Sequence, residues 1–279
     1  MRQSDPEQQL SIHHRGGSSS IARISRIGAA LEGLTLGGVE LIAPPNSDWS
    51  KMFFGSVLAP WPNRLADGEF DHNGQRYRVG TLDADNNANH GLLYNQELQL
   101  ASHSEDCLSL EAGLADAGYP WKVKLGIDYS LSESELQVRA TAFNESDETA
   151  PFAIGFHPYF LTGESFLLEG NFTHRVTTDS RMLPNGIEEV AGFKYSGGEL
   201  DSCFFGSDQI RLTTPHATIE VTLQENLSHF MFYRPRSEVG NLLAIEPMSC
   251  GADAFNRELS ANLLAPGEEK SYRFSVRKL

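Results

Sequence analysis

The chain has 279 residues, of which 40% are hydrophobic and 21% are charged, and its formal net charge at pH 7 is −15. This composition predicts a folded protein with a substantial core rather than a disordered chain. The negative charge would repel a phosphate backbone, so we expect no nucleic-acid partner.

The sequence also indicates in which cellular compartment the protein is found. No apolar stretch is long enough to span a bilayer, and the polar N-terminal region lacks the apolar segment of a secretory signal. The three cysteines, Cys107, Cys203 and Cys250, are scattered without a C-x-x-C pair, which is typical of a reducing environment. We therefore expect a cytoplasmic protein with no membrane partner.

In chain order, the elements read mostly as strands. Residues 1–17 are polar and predict a flexible tail, followed by one domain over residues 18–279. The pair Asn73-Gly74 separates "GEFDH" from "QRYRV" and predicts a two-residue hairpin. Apolar and polar residues then alternate in "WKVKLGIDYSL", "ELQVRATAF", "ATIEVTL" and "SYRFSVRKL". Many such strands between turn residues predict an all-β fold, an antiparallel sandwich or barrel.

One polar loop, "DADNNANHG" at residues 83–91, has acidic and amide residues at alternate positions, as a calcium-binding loop does. Such a loop requires glycine at its sixth position and glutamate at its twelfth, where this chain has Ala88 and Tyr94. We therefore interpret the segment as a polar loop without calcium.

Four stretches place polar residues where the neighbours are stiff or apolar. Asn63 and Arg64 follow the Pro-Trp-Pro segment of "LAPWPNRLADGEF", and His90 precedes a glycine before an apolar run. His157 and Glu246 lie within "FAIGFHPYFL" and "LLAIEPM". Each residue alone also fits a structural role in a loop or core. Because burial lowers the pKa of histidine and raises that of glutamate, these last two form a candidate acid/base pair.

These stretches also carry a resemblance. The segments "APWPNRLADGEF", "NHGLL", "GFHPYF", "LDSCFF" and "EPMSCGADAFN" occur in the same order as in the aldose 1-epimerase (galactose mutarotase) family, which the chain resembles over nearly its whole length. The resemblance implies a large antiparallel β-sandwich with an open sugar-binding cleft and no cofactor. The implied reaction interconverts the α and β anomers of a free aldose of the glucose or galactose type.

The resemblance also implies catalytic roles. Glu246 of "EPM" would be the general base, His157 of "GFHPYF" the general acid, and His90 of "NHG" an assisting group at the ring oxygen. The ring would open by proton transfer and reclose on either face. No metal or nucleotide motif accompanies these residues.

Three further residues would bind the sugar by the same resemblance. Asn63 and Arg64 would hold sugar hydroxyls, and Asp201 of "LDSCFF" would bind the sugar. The chain departs from the family pattern at Leu92, where a second glycine is common, and it shows no clear counterpart of a substrate-contacting glutamine. Both departures concern the identity of the sugar.

Other functions remain possible from the sequence. An enzyme for a phosphorylated or acidic sugar would need cations near the cleft, and five arginines are candidates: Arg64, Arg76, Arg78, Arg234 and Arg236. A non-catalytic carbohydrate-binding protein would need aromatic platforms but no acid/base pair. A metal site would combine two histidines and one carboxylate, namely His90, His157 and Glu246.

Overall fold

The computed structural model describes residues 8–14, 19–43, 53–234 and 241–279. Within these ranges the secondary structure is almost entirely β. The strands are β1 Gln9–His13, β2 Ile21–Ser25, β3 Ala30–Leu36, β4 Val39–Ile42, β5 Val57–Leu58, β6 Arg64–Ala66, β7 Glu69–His72, β8 Gln75–Arg78, β9 Asn87–Asn89, β10 Gln99–His103, β11 Cys107–Asp116, β12 Tyr119–Leu131, β13 Glu135–Asn144, β14 Ala150–Pro151, β15 Gly155–Phe156, β16 Tyr159–Leu161, β17 Leu167–Gly170, β18 His174–Thr178, β19 Pro184–Glu189, β20 Phe193–Tyr195, β21 Leu200–Phe205, β22 Gln209–Thr213, β23 Thr218–Leu223, β24 His229–Arg234, β25 Leu242–Met248, β26 Leu263–Leu264 and β27 Glu269–Lys278. A four-residue helix, α1, spans Ala254–Arg257, and 3-10 turns occur at Leu93–Asn95 and Leu259–Ala261.

Two large sheets dominate the architecture. One has nine strands in the order β10-β11-β12-β13-β27-β23-β22-β17-β20, and the other has eight, in the order β19-β18-β21-β24-β25-β15-β5 with β16 also paired to β25. A third sheet, β1-β2-β3-β4, has four strands. The ladders between these strands are antiparallel, which confirms the prediction of an all-β antiparallel sandwich.

The predicted strands owe their positions to period-two alternation. In β12 the odd-numbered residues are buried and their neighbours are mostly exposed, so one face of this long strand packs on the core. The hairpin between β7 and β8 turns at Asn73 and Gly74, with φ of 50° and 75°. Two positive φ values are what a tight two-residue hairpin turn requires, and they are accessible to asparagine and glycine.

Aromatic side chains fill the space between the sheets. Phe156 of β15 in the eight-stranded sheet meets Phe274 of β27 in the nine-stranded sheet, with ring centroids 4.8 Å apart. Phe172 contacts both Phe230 and Phe232 of β24, with centroids 5.8 Å apart in each pair. Burial of large aromatic rings on both inner faces stabilises the sandwich and fixes how the sheets sit on one another.

The N-terminal region differs from the prediction. Residues 9–13 form β1, which pairs with β2 from Gln9 opposite Ser25 to His13 opposite Ile21, and Ile12 is fully buried. The prediction of a flexible tail through residue 17 is therefore wrong for residues 9–13, because backbone pairing and the apolar side chain tie them to the domain. Residues 1–7 and 15–18 lie outside the described residues. No helix in the described part of the chain has the length and apolar character needed to cross a membrane.

Candidate active site

The structure brings all six predicted site residues to one cavity of about 170 Å3. Its lining consists of Phe53, Asn63, Arg64, Asn89, His90, His157, Tyr159, Asp201, Met231, Tyr233 and Glu246. Residues from distant parts of the chain therefore converge on one cavity.

One side of the cavity is formed by the outer face of the eight-stranded sheet. On adjacent strands, Asp201 lies opposite Tyr233, and Met231 lies opposite Glu246. Because side chains two residues apart share a face, strand register alone places these four together. We call Asp201, Met231, Tyr233 and Glu246 the sheet wall.

Glu246 belongs to a strand, β25, in which every residue is buried. Its carboxylate Oε1 lies 3.4 Å from Nε2 of His157, and the two side chains are 2% and 5% exposed. Oε2 of Glu246 and Nδ1 of His157 have no hydrogen-bond partner within the described ranges. The backbone of His157 is anchored on both sides, since its N–H donates to Ser56 and its carbonyl accepts from Gly55.

Burial moves the pKa values of this pair in opposite directions. Desolvation lowers the pKa of His157 to about 3. It raises the pKa of Glu246 well above the usual range; the nearby Asp201 raises it further and Arg64 opposes the rise. Both shifts favour uncharged side chains, so the directions expected from the sequence are the ones the environment produces.

Rings surround the His157 imidazole. Tyr159 stacks on it with centroids 4.9 Å apart and planes inclined by 21°. His90 meets it edge-on at 5.3 Å, and Phe53 covers His90 at 4.4 Å. Such packing restricts the imidazole to one orientation, with Nε2 directed at Glu246.

The opposite side of the cavity is built from loops and a two-stranded ladder. In that ladder, β6 pairs with β9 and places Arg64 opposite Asn89. Asn63 and His90 precede and follow these strands with φ of 56° and 64°. We call Asn63, Arg64, Asn89 and His90 the loop wall.

The protonation of His90 follows from its contact with Asn63. The backbone N–H of Asn63 donates to Nδ1 of His90 at 3.2 Å, and the N–H of His90 donates to the Asn63 carbonyl at 2.9 Å. Burial, and then the charges of His157 and Arg64, hold the pKa of His90 well below its usual range. A neutral ring that accepts at Nδ1 carries its proton on Nε2, so His90 is a hydrogen-bond donor to the cavity.

Glycine is required next to this histidine. Gly91 has a φ of 73°, and a Cβ at this position would overlap the carbonyl of Ala59. That carbonyl also accepts hydrogen bonds from the N–H groups of Leu92 and Leu93, at 2.7 and 3.1 Å. The close approach of the two segments fixes the turn that presents His90.

The two walls are linked by charge. Nη2 of Arg64 lies 3.4 Å from Oδ2 of Asp201, and both side chains are partly exposed to the cavity. Asn63 Oδ1 accepts from the Arg64 backbone N–H at 2.8 Å and from Nη1 at 3.3 Å. Burial raises the pKa of Asp201 while Arg64 lowers it. The guanidinium is thereby held between a carboxylate and an amide oxygen.

Sequence reasoning missed five of the lining residues: Phe53, Asn89, Tyr159, Met231 and Tyr233. One of them follows a simple rule, because Tyr159 lies two residues beyond His157. The others carry no comparable signal in a single sequence.

The five arginines considered for a phosphorylated or acidic sugar lie in different places. Of the candidate arginines for an anionic sugar, Arg64 lines the cavity, whereas Arg76 and Arg78 pair with acidic residues of β7. Arg234 lies over the Phe166 ring at 4.8 Å, and Arg236 lies outside the described residues.

A metal site receives no support from the geometry. Among the described residues, no three His, Cys, Asp or Glu side chains are grouped so that they could hold a metal ion. A larger groove of about 1050 Å3 is lined by residues of β17, β20, β22 and β23 and the loops between them. None of the six predicted residues lines that groove.

Comparison with known proteins agrees with the resemblance. The family model for aldose 1-epimerase matches residues 8–277. The "Uncharacterized protein YihR" of Escherichia coli K12 is 27% identical over 274 residues, covering 91% of this chain and 89% of that protein. A putative aldose 1-epimerase from E. coli K12 has a similar structure, with a TM-score of 0.85 at 21% identity over 97% of this chain and 98% of that one. The GalM/aldose epimerase homologue from C. elegans gives 0.84 at 17% identity, with the same coverage. The chain therefore belongs to the aldose 1-epimerase family.

Proposed function

We propose that the protein is a mutarotase that interconverts the α and β anomers of a free aldose of the glucose or galactose type. The observation that carries the proposal is the buried pair in the cavity, with His157 Nε2 3.4 Å from Glu246 Oε1. A purely sugar-binding protein has no need of two titratable groups in a desolvated position.

In the proposed reaction, Glu246 takes the proton of the hydroxyl on C1 while His157 donates a proton to the ring oxygen. The C1–O bond of the ring breaks and C1 becomes an aldehyde carbon. Rotation about C1–C2 and reclosure, with the two groups in reversed roles, yields the other anomer. Each group is expected to accelerate the reaction by roughly 10²- to 10⁴-fold.

The two pKa shifts favour the products of ring opening, so the charged pair from which ring opening starts is the minor form of the site. Ring opening converts a carboxylate and an imidazolium into a carboxylic acid and a neutral imidazole. Desolvation favours these uncharged forms in both residues. Arg64 favours the carboxylate and thus supports the state from which the reaction starts.

The other four predicted residues would take part in binding the sugar. His90 would donate its Nε2–H to an oxygen of the sugar, beside His157. Arg64 would donate to hydroxyls, and Asn63 would hold the guanidinium in place through its amide oxygen. Asp201 would accept a hydrogen bond from a sugar hydroxyl at Oδ1. This oxygen is buried and has no hydrogen-bond partner in the described part of the chain.

Polarimetry tests the proposal. Freshly dissolved α-glucose and α-galactose should reach equilibrium faster with the protein than without it, in the presence of EDTA. Glucose 6-phosphate, followed in the same way, should be a poorer substrate, since among the described residues one arginine lines the cavity beside two carboxylates. No acceleration of either free sugar would refute the proposal, and activity that EDTA removes and zinc restores would favour a metal site.

A further inference from the structure

Asn89, which neither the sequence motifs nor the family resemblance singles out, lines the cavity and has an acceptor atom without a hydrogen-bond partner in the described ranges. It ends β9 in the loop wall, and its Oδ1 is buried without a hydrogen-bond partner among the residues described. Its Nδ2 donates to Oδ2 of Asp83 at 2.8 Å. Because a carboxylate only accepts, the amide nitrogen faces Asp83, and the amide oxygen is left as the free acceptor of this cavity-lining side chain.

Asp83 is itself held in the loop that superficially resembles a calcium site. Its Oδ1 accepts from the backbone N–H groups of Asp85 and Asn87 at 2.9 and 2.8 Å. The side chain of Arg181 donates to the Asp85 carbonyl at 2.9 Å and to Asn87 Oδ1 at 3.1 Å. The acidic loop is thus held by its own side-chain-to-backbone hydrogen bonds and by Arg181. Asp83, held in this loop, fixes the orientation of the Asn89 amide.

Three side-chain oxygens of the cavity-lining residues have no hydrogen-bond partner in the described ranges: Oδ1 of Asn89, Oδ1 of Asp201 and Oε2 of Glu246. Buried acceptors need donors, and leaving one unsatisfied carries a penalty. Ring hydroxyls can supply such donors, whereas a phosphate or sulfonate group presents only acceptors and negative charge.

We propose that Asn89 is a specificity-determining residue that accepts a hydrogen bond from one ring hydroxyl other than that on C1, and that Asp83 is its positioning residue. The proposal rests on the proposed function in assigning the C1 hydroxyl to Glu246. It selects a neutral polyhydroxylated ring with a hydroxyl at one particular position.

Binding of deoxy sugars tests this assignment. Dissociation constants are measured by calorimetry for glucose, galactose and their derivatives lacking the hydroxyl at C2, C3, C4 or C6, with wild type and Asn89→Ala. For one position, removal of the hydroxyl should weaken binding to wild type by about tenfold. In Asn89→Ala that loss should vanish, while the losses at other positions persist. Thermal unfolding confirms that the variant is folded.

A matched pair of variants tests Asp83. Asp83→Asn supplies an amide that can donate to Asn89, so the Asn89 amide can turn and present its NH2 to the cavity. We expect Asp83→Asn to raise KM several-fold with little change in kcat. Asp85→Asn makes the same chemical change two residues away, where only the backbone N–H contacts Asp83, and should behave like wild type.

The outcomes separate the two proposals. If Asn89→Ala binds every sugar as wild type does, or weakens all of them by one common factor, the role of Asn89 is refuted. If wild type binds sugar with the expected position dependence but does not accelerate mutarotation, the proposed function alone fails. If no sugar binds to wild type, both fail.

Discussion

The two walls of the cavity are built by different means. The sheet wall lies on three adjacent strands, β21, β24 and β25. Strand register and the alternation of side chains fix which residues face the cavity. The loop wall depends on the short ladder between β6 and β9, on the positive φ of Asn63 and His90, and on side-chain hydrogen bonds. With His157 beside the sheet wall, we propose that proton transfer takes place on this side of the cavity, and that the loop wall, together with Asp201, selects and binds the sugar.

The largest expected effect concerns the side of the sheet wall. His157→Asn should lower kcat by roughly 10²- to 10⁴-fold while sugar affinity changes little, because the imidazole is proposed to act in proton transfer. Polarimetry gives the rate and calorimetry the affinity.

The matched control is His229→Asn. His229 lies on β24 on the same face of the sheet as Met231, and burial lowers its pKa to about 4, yet it does not line the cavity. Its replacement should leave kcat unchanged. A His157→Asn enzyme with normal kcat would end the proposed division.

A smaller effect is expected from the loop side. Arg64→Ala should weaken sugar binding by about 10- to 100-fold, because hydrogen bonds from a charged donor are lost. The control Arg277→Ala removes an exposed arginine that pairs with Glu135 at 3.0 Å on the nine-stranded sheet. Calorimetry on both variants decides: equal affinity of Arg64→Ala and wild type would contradict the assignment of Arg64 to binding.

The packing of the loop wall can be tested with two glycines. Gly91 and Gly74 have φ of 73° and 75°, but a Cβ on Gly91 would overlap the Ala59 carbonyl, whereas nothing lies within 4 Å of one on Gly74. Gly91→Ala should therefore lower the free energy of unfolding by about 1–3 kcal/mol more than Gly74→Ala. Urea denaturation measures both. Equal losses would mean that the turn beside His90 is not fixed by close contact.

The smallest expected effect is a nearly flat pH dependence. Since the pKa of His157 is lowered to about 3, the pair binds its second proton only in strong acid. We expect kcat/KM to change by less than about twofold between pH 5 and pH 7, and any limbs of the profile to belong to the pair jointly. A decline on acidification with a midpoint near 6.5, the ordinary histidine value, would show that His157 is not desolvated in the working enzyme.

The sequence predicts some features of the fold and the site better than others, for a physical reason. Alternation identifies β12, and an unexpected carboxylate in "LLAIEPM" marks Glu246, because a buried strand leaves a strong local pattern. Asn89 gives no such signal, since its role depends on an amide orientation set by Asp83. The pairing of β1 with β2 was likewise hidden, because a five-residue strand flanked by polar residues resembles a tail. The cytoplasmic location stays a prediction.

The central claim is that Glu246 is a base and not a structural partner, and Glu246→Gln tests it most directly. Glutamine keeps the shape of the side chain but does not accept the proton near neutral pH. The folded pKa of Glu246 is raised, so wild type loses stability as pH rises above about 4.5, where the unfolded chain releases the proton first. The variant lacks this loss.

The rate of mutarotation and the Tm of one preparation at pH 8 should therefore be measured together. We predict a rate lowered by at least about 100-fold and a Tm equal to or above that of wild type. An active variant that melts early, with the roughly 3–5 kcal/mol loss expected when a buried ion pair is broken, would contradict the account.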